Sequence, residues 1–121
     1  MESPIRKTLE YFDKYDYPLT KEELELWAGK RVSSKTYHFL PGKTKLINIR
    51  KQREKNSIPK WKIAHEVVNK LSKINFIEAI FVTGSLSMNN CKQNDDIDLM
   101  IIAKPNTLWI TRLIVNILFA K

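Results

Sequence analysis

A chain of 121 residues with 43% apolar side chains has room for one small domain, or two very small ones sharing a core, and is too apolar for a disordered tail. Its net charge of +8 comes from residues 43–73, where ten Lys/Arg face only Glu54 and Glu66, while the flanking segments balance. The lone Cys91 excludes an internal disulfide, the polar start excludes a secretory signal, and the apolar run 108–120 is short of the ~20 residues that span a bilayer, so a cytoplasmic protein is expected.

Ser3-Pro4 reads as an N-cap followed by proline in the first helical turn, and Ile5, Leu9 and Phe12 then line one face of a helix. Tyr15-Asp16-Tyr17-Pro18 ends it. Thr20 and Glu23 form a capping box for a short second helix that turns Leu24 and Trp27 inward and stops near Gly29. Residues 30–36 are polar; Tyr37-His38-Phe39-Leu40 reads as a short strand, turned by Pro41-Gly42. A helical pattern follows through Leu46, Ile49 and the basic run 50–55. Ser57 and Pro59 then punctuate it and restart a helix with Ile63, Ala64, Val67, Val68, Leu71 and Ile74 as its apolar positions. Ile77–Thr83 is an apolar, branched segment and reads as a buried strand. A polar loop over 85–94 leads to a second strand over 97–103, and Pro105-Asn106-Thr107 opens a last, nearly all-apolar helix.

The chemistry concentrates in Phe81-Val82-Thr83-Gly84-Ser85, ten further residues, then Asp96-Ile97-Asp98-Leu99-Met100-Ile101-Ile102. Side chains two apart on a strand share a face, so Asp96 and Asp98 are expected to project together from the start of the second strand. Two such carboxylates repel unless a cation lies between them, and hard oxygen ligands with room for water and phosphate suit Mg²⁺. Gly84 lets backbone approach a ligand, and the amides and hydroxyl that follow can donate to phosphate oxygens. The bland alternative is a plain Gly-Ser turn and a solvated strand entry. It fits Asp98 poorly, because that carboxylate is flanked by Ile97 and Leu99.

Other motifs fail. Gly42-Lys43-Thr44 has the tail of a phosphate-binding loop, but Tyr37 stands where glycine is needed. Asn94, Asp96 and Asp98 imitate the start of a calcium loop, yet Leu99 and Pro105 occupy its glycine and bidentate-acid positions. His38 and His65 lack ligand spacing and read as surface or hydrogen-bonded residues; Trp27, Trp61 and Trp109 read as core.

The strand, Gly-Ser, spacer and Asp-Ile-Asp-Leu together resemble the signature of the DNA polymerase beta-type nucleotidyltransferase superfamily. The resemblance implies transfer of a nucleoside monophosphate from an NTP, with ATP as the expected donor, to an unidentified acceptor. It assigns nucleotide binding to Gly84 and Ser85, and catalysis and Mg²⁺ (or Mn²⁺ in its place) to Asp96 and Asp98. The segment 8–20, with Phe39-Leu40-Pro41-Gly42, is similar to the winged-helix lead-in of bacterial nucleotidyltransferase-domain proteins, and 50–55 and 108–113 resemble their joining segment and post-strand helix. The expected fold is therefore α+β: a winged-helix-like segment over 1–42, a basic helical connector over 43–75, and a partial nucleotidyltransferase α/β core over 76–121.

Two departures qualify the resemblance. The residues between Gly29 and Tyr37 are too few for a recognition helix, so sequence-specific DNA reading is not expected. The family's third carboxylate has no counterpart, since no Asp or Glu follows Asp98. A fragment, or a core completed by a partner chain, is the corresponding expectation, with the bare last helix open to self-association. The competing function is a non-catalytic nucleic-acid-binding module. It would use Arg50, Lys51, Arg53, Lys55, Lys60 and Lys62 for weak, salt-dependent contact with phosphates, whereas a solvated helix face is the plainer reading of the same charges.

Overall fold

Proline at position 4 has no amide to leave unpaired, and the first helix begins there. A computed structural model of the chain describes residues 3–33 and 35–120. Among them α1 spans Pro4–Asp13, with Ser3 in the N-cap position; its carbonyl accepts from the Lys7 amide, but its hydroxyl makes no capping bond. The chain leaves α1 through Asp16, which takes a left-handed φ of 51° that aspartate tolerates better than most residues. β1 is Leu19–Thr20 and α2 is Lys21–Ala28. The capping box forms as expected: the Glu23 amide donates to Thr20 Oγ1 (3.3 Å) and the Thr20 amide to Glu23 Oε2 (2.8 Å). Gly29 closes α2 at φ 62°.

The expected strand over 37–40 shrinks to β2, Tyr37–His38, which pairs antiparallel with β1 through Leu19↔His38 and Thr20↔Tyr37. No helix occurs among the described residues between Gly29 and Tyr37; of the polar stretch 30–36, Ser34 lies outside the described residues. The chain divides into two compact units, Met1–Glu54 and Lys55–Lys121, so the basic stretch 43–75 is shared between them. The core of the first unit is Phe12, Tyr17, Leu19 and Leu24, with Ile5, Leu9, Ala28 and Val32 against it.

Arg50, one of the basic residues read as a phosphate contact, is 7% exposed inside this first unit. Its guanidinium donates to both Glu23 oxygens (2.6 and 2.9 Å), to Glu54 Oε1 (2.8 Å) and to the Pro18 carbonyl (2.6 Å), and lies 4.5 Å from the Tyr17 ring centre. Burial works against the Glu23 carboxylate, but hydrogen bonds from Arg50 and the Thr20 amide prevail and hold its pKa below the ordinary value. Burial raises the Tyr17 phenol to about 12, with Arg50 opposing and Glu23 assisting.

The helix expected to break and restart at Ser57 and Pro59 is one helix, α3, running Leu46–Leu71 with Pro59 inside it. A mid-helix proline costs about 3 kcal/mol. Pro59 lies on the exposed side, while Ser57 and Ala64 are buried and tie the same turns to the rest of the second unit, which offsets that loss.

β3 is Ile77–Thr83, the bounds read from sequence, but it is not the buried strand expected: its residues are half-buried or exposed, Phe81 among the latter. The expected loop over 85–94 begins instead with a single helical turn, α4, Gly84–Ser87. β4 is Asp98–Ala103 and runs antiparallel to β3, with Thr83↔Asp98, Val82↔Leu99 and Phe81↔Met100 opposed. Ala64, Leu86 and Cys91 form the core of this unit, with Trp61, Val82 and Ile97 packed on it. α5, Leu108–Phe119, leaves Leu108, Trp109, Leu113 and Ile117 exposed. Two expected core residues are thus surface residues: Trp27 is 57% exposed and Trp109 78%. Trp61 is half-buried and donates its indole N–H to Asn89 Oδ1 (2.6 Å). His65 is exposed, as one of the two expected states, but His38 is half-buried and its Nε2 has no hydrogen-bond partner among the described residues, so it is neither the surface nor the hydrogen-bonded residue expected. No helix among the described residues is long and apolar enough to cross a membrane.

Candidate functional site

The antiparallel register of β3 and β4 decides what meets what. Thr83, the last residue of β3, stands opposite Asp98, the first of β4, and its hydroxyl donates to the Asp98 carbonyl (3.3 Å). The chain then turns at Gly84 with φ +65°, so the glycine comes directly beneath the Asp98 side chain. A Cβ at position 84 would lie 2.3 Å from Asp98 Oδ2, 3.2 Å from its Cγ and 3.3 Å from its Cβ. Glycine is required twice over, by the left-handed backbone and by the carboxylate that occupies the missing side chain's space.

Asp98 is exposed, as is Asp96, and the alternation of exposed and half-buried residues continues from β4 back through Ile97 to Asp96. Asp96 itself precedes the strand rather than starting it, so its position depends on the loop before it. Among the described residues neither aspartate has an ion-pair partner, although the chain carries a surplus of cationic side chains. The exposed Asp98 carboxylate beside the glycine turn, with the exposed Asp96 two residues before it, leaves oxygen lone pairs open to water, a donor type that suits Mg²⁺. No group of three or more His, Cys, Asp or Glu capable of holding a metal occurs among the described residues, so a cation here would take its remaining ligands from water or phosphate.

Ser85 is half-buried and turned inward, its hydroxyl donating to Cys91 Sγ (3.4 Å). Asp95 Oδ2 accepts from the Lys92 amide (2.8 Å). That amide, against a small burial penalty and with help from Ser85, holds the Asp95 carboxyl below its ordinary pKa. Asp95 did not stand out from sequence because it abuts Asp96 and reads as part of one acidic run.

The basic residues expected to meet phosphates fall into separate roles. Arg50 is buried in the ion pairs described above. Arg53 donates to the Tyr15 carbonyl (2.9 Å) and pairs with Asp16 (3.5 Å). Lys60 donates to the Asp95 carbonyl (2.5 Å). Lys51, Lys55 and Lys62 are exposed. Comparison with protein-family models, curated proteins and solved structures returned no match.

Proposed function

We propose that the β3–α4–β4 segment is the nucleotide- and metal-binding half of a nucleotidyltransferase site, moving a nucleoside monophosphate from an NTP, with ATP as the donor to test first, to an acceptor hydroxyl or amine. The observation that carries this reading is the seating of the Asp98 carboxylate over the side-chain-free Gly84, which unites the glycine turn and the aspartate strand in one place. Bound Mg²⁺ would neutralise triphosphate charge and ease departure of pyrophosphate. Asp96 and Asp98 would hold it, and backbone at Gly84 and Ser85 would face the polyphosphate. The acceptor's attack forms its bond to the α-phosphorus as the bond to the pyrophosphate oxygen breaks. With no Asp or Glu after Asp98, residues 99–121 offer no carboxylate to take the acceptor's proton.

Isothermal titration of Mg²⁺-ATP into wild-type protein and into Asp96→Asn and Asp98→Asn variants tests the reading. Loss of each carboxylate should weaken binding by about tenfold or more, the scale of one charge-assisted contact. Equal affinity for all three proteins removes the assignment.

A further inference from the structure

One face of α3 does more for the candidate site than its charge pattern suggests. Asn56, Ser57, Lys60, Trp61 and Ala64 recur at helical spacing and all meet the 88–97 segment or the core beneath it. Asn56 Nδ2 donates to the Cys91 carbonyl (3.3 Å), and the Cys91 amide donates to Ser57 Oγ (3.3 Å). Trp61 bonds Asn89, and Ala64 packs with Leu86 and Cys91. The last of these ties is the Lys60 ammonium on the Asp95 carbonyl, at the peptide that enters Asp96. Past α4, the segment has no regular structure until Asp98, so these ties and its own turn fix its path; the turn is closed by the Lys92 amide on Asp95 and by the Asn90 amide on the Ser85 carbonyl (2.8 Å).

We infer that Lys60 is a positioning residue for the metal–nucleotide site: by gripping the Asp95 carbonyl it sets the peptide that presents Asp96 beside Asp98. This rests on the nucleotidyltransferase reading. Asp98 is set by its strand register with Thr83 and does not need Lys60; Asp96 lies outside the strand and does. A lysine in a basic run is thereby removed from the pool of free cations and given a structural partner within the unit that carries the aspartates.

The test uses the full chain with Mg²⁺-ATP as titrant, in wild type, Lys60→Met, Lys60→Arg, Asp96→Asn, Asp98→Asn and the Lys60→Met/Asp96→Asn double variant, with thermal unfolding in parallel. Methionine keeps the aliphatic stem and loses the donors; arginine keeps charge and donors. Lys60→Met is expected to weaken binding about tenfold, and Lys60→Arg to restore it to within about threefold of wild type. Because Lys60 acts through Asp96, the Asp96→Asn loss should largely vanish in the Lys60→Met background, a coupling that a general loss of stability does not produce. Wild-type affinity in Lys60→Met, with affinity lost in Asp98→Asn, overturns the inference and leaves the site standing; so do additive Lys60 and Asp96 effects. Should Lys60→Met not fold, Lys60→Arg with tenfold weakened binding and an unchanged melting temperature overturns it equally. Unchanged affinity in Asp98→Asn instead sinks the underlying reading.

Discussion

Replacing Gly84 by alanine tests the contact on which the site depends. The backbone there is left-handed at φ +65°, which costs an alanine about 1–2 kcal/mol in any surroundings. The new methyl would also meet Asp98 Oδ2 at 2.3 Å. Rotating the carboxylate away relieves that overlap, but Asp98 Cβ remains 3.3 Å off, so part of the crowding persists whatever the rotamer. A total of roughly 2–3 kcal/mol follows, or a melting temperature lower by on the order of 10 °C. A double-mutant cycle separates the terms. Asp98 is exposed, so Asp98→Ala alone should change stability by less than about 0.5 kcal/mol, and it removes the carboxylate but not the backbone strain. Gly84→Ala should therefore cost about 1 kcal/mol less in the Asp98→Ala background, read by urea denaturation of the four proteins. Equal costs in both backgrounds, within about 0.3 kcal/mol, would mean that the carboxylate does not lie over the glycine, and the pairing of turn and strand would lose its basis.

In the first unit, Arg50→Ala should destabilise by about 3 kcal/mol in denaturant unfolding, because Glu23 and the Pro18 carbonyl lose their donor together. Arg50→Lys should recover little of that, since an ammonium cannot reproduce the forked bonds to Glu23 or the stacking on Tyr17. The lowered pKa of Glu23 carries a sign: its contribution is present above the ordinary glutamate value near 4.5 and is lost as pH falls through the lower folded-state value. Urea midpoints measured downward from pH 6 should accordingly fall less steeply for Glu23→Gln than for wild type, and parallel acid limbs would contradict the linkage.

Local rules were legible where a residue's neighbours in sequence are also its partners in space. The Thr20–Glu23 box, the stop at Gly29 and the bounds of the strand Ile77–Thr83 all depend on spans of a few residues and form as read, whereas the burial expected of that strand needed a covering layer and is not found. What failed needed distant partners. Two-residue strands carry no periodicity, so the β1–β2 pairing could not be seen. Pro59 looked like a break because the ties from Ser57, Lys60 and Trp61 that sustain α3 lie more than 25 residues away. Apolar spacing placed Trp27 and Trp109 each on the apolar face of its own helix, but did not show that each stays exposed. Within the candidate site, Gly84 and Asp98 were legible from residue type and spacing, while Lys60 and Asp95 were not.

The basic segment shows why linear charge is a poor guide to an electrostatic surface. Ten Lys/Arg in residues 43–73 read as one attractor, yet the fold distributes them by what each can reach. Arginine's planar fork takes the sites where several acceptors converge, as Arg50 does with Glu23, Glu54 and Pro18, because its weaker hydration makes burial less costly than for lysine. Lysine's compact charge on a long stem suits a single carbonyl at the surface, as at Asp95. Of the ten, Arg50, Arg53 and Lys60 are drawn into such contacts and are not exposed, while Lys43, Lys45, Lys51, Lys55, Lys62, Lys70 and Lys73 stay exposed, and among the described residues neither aspartate of the candidate site has an ion-pair partner. Had the fold paired its lysines with Asp96 and Asp98, a divalent ion would have to displace them; on the proposed reading, open carboxylates with Lys60 tied to the neighbouring carbonyl would leave room for a cation.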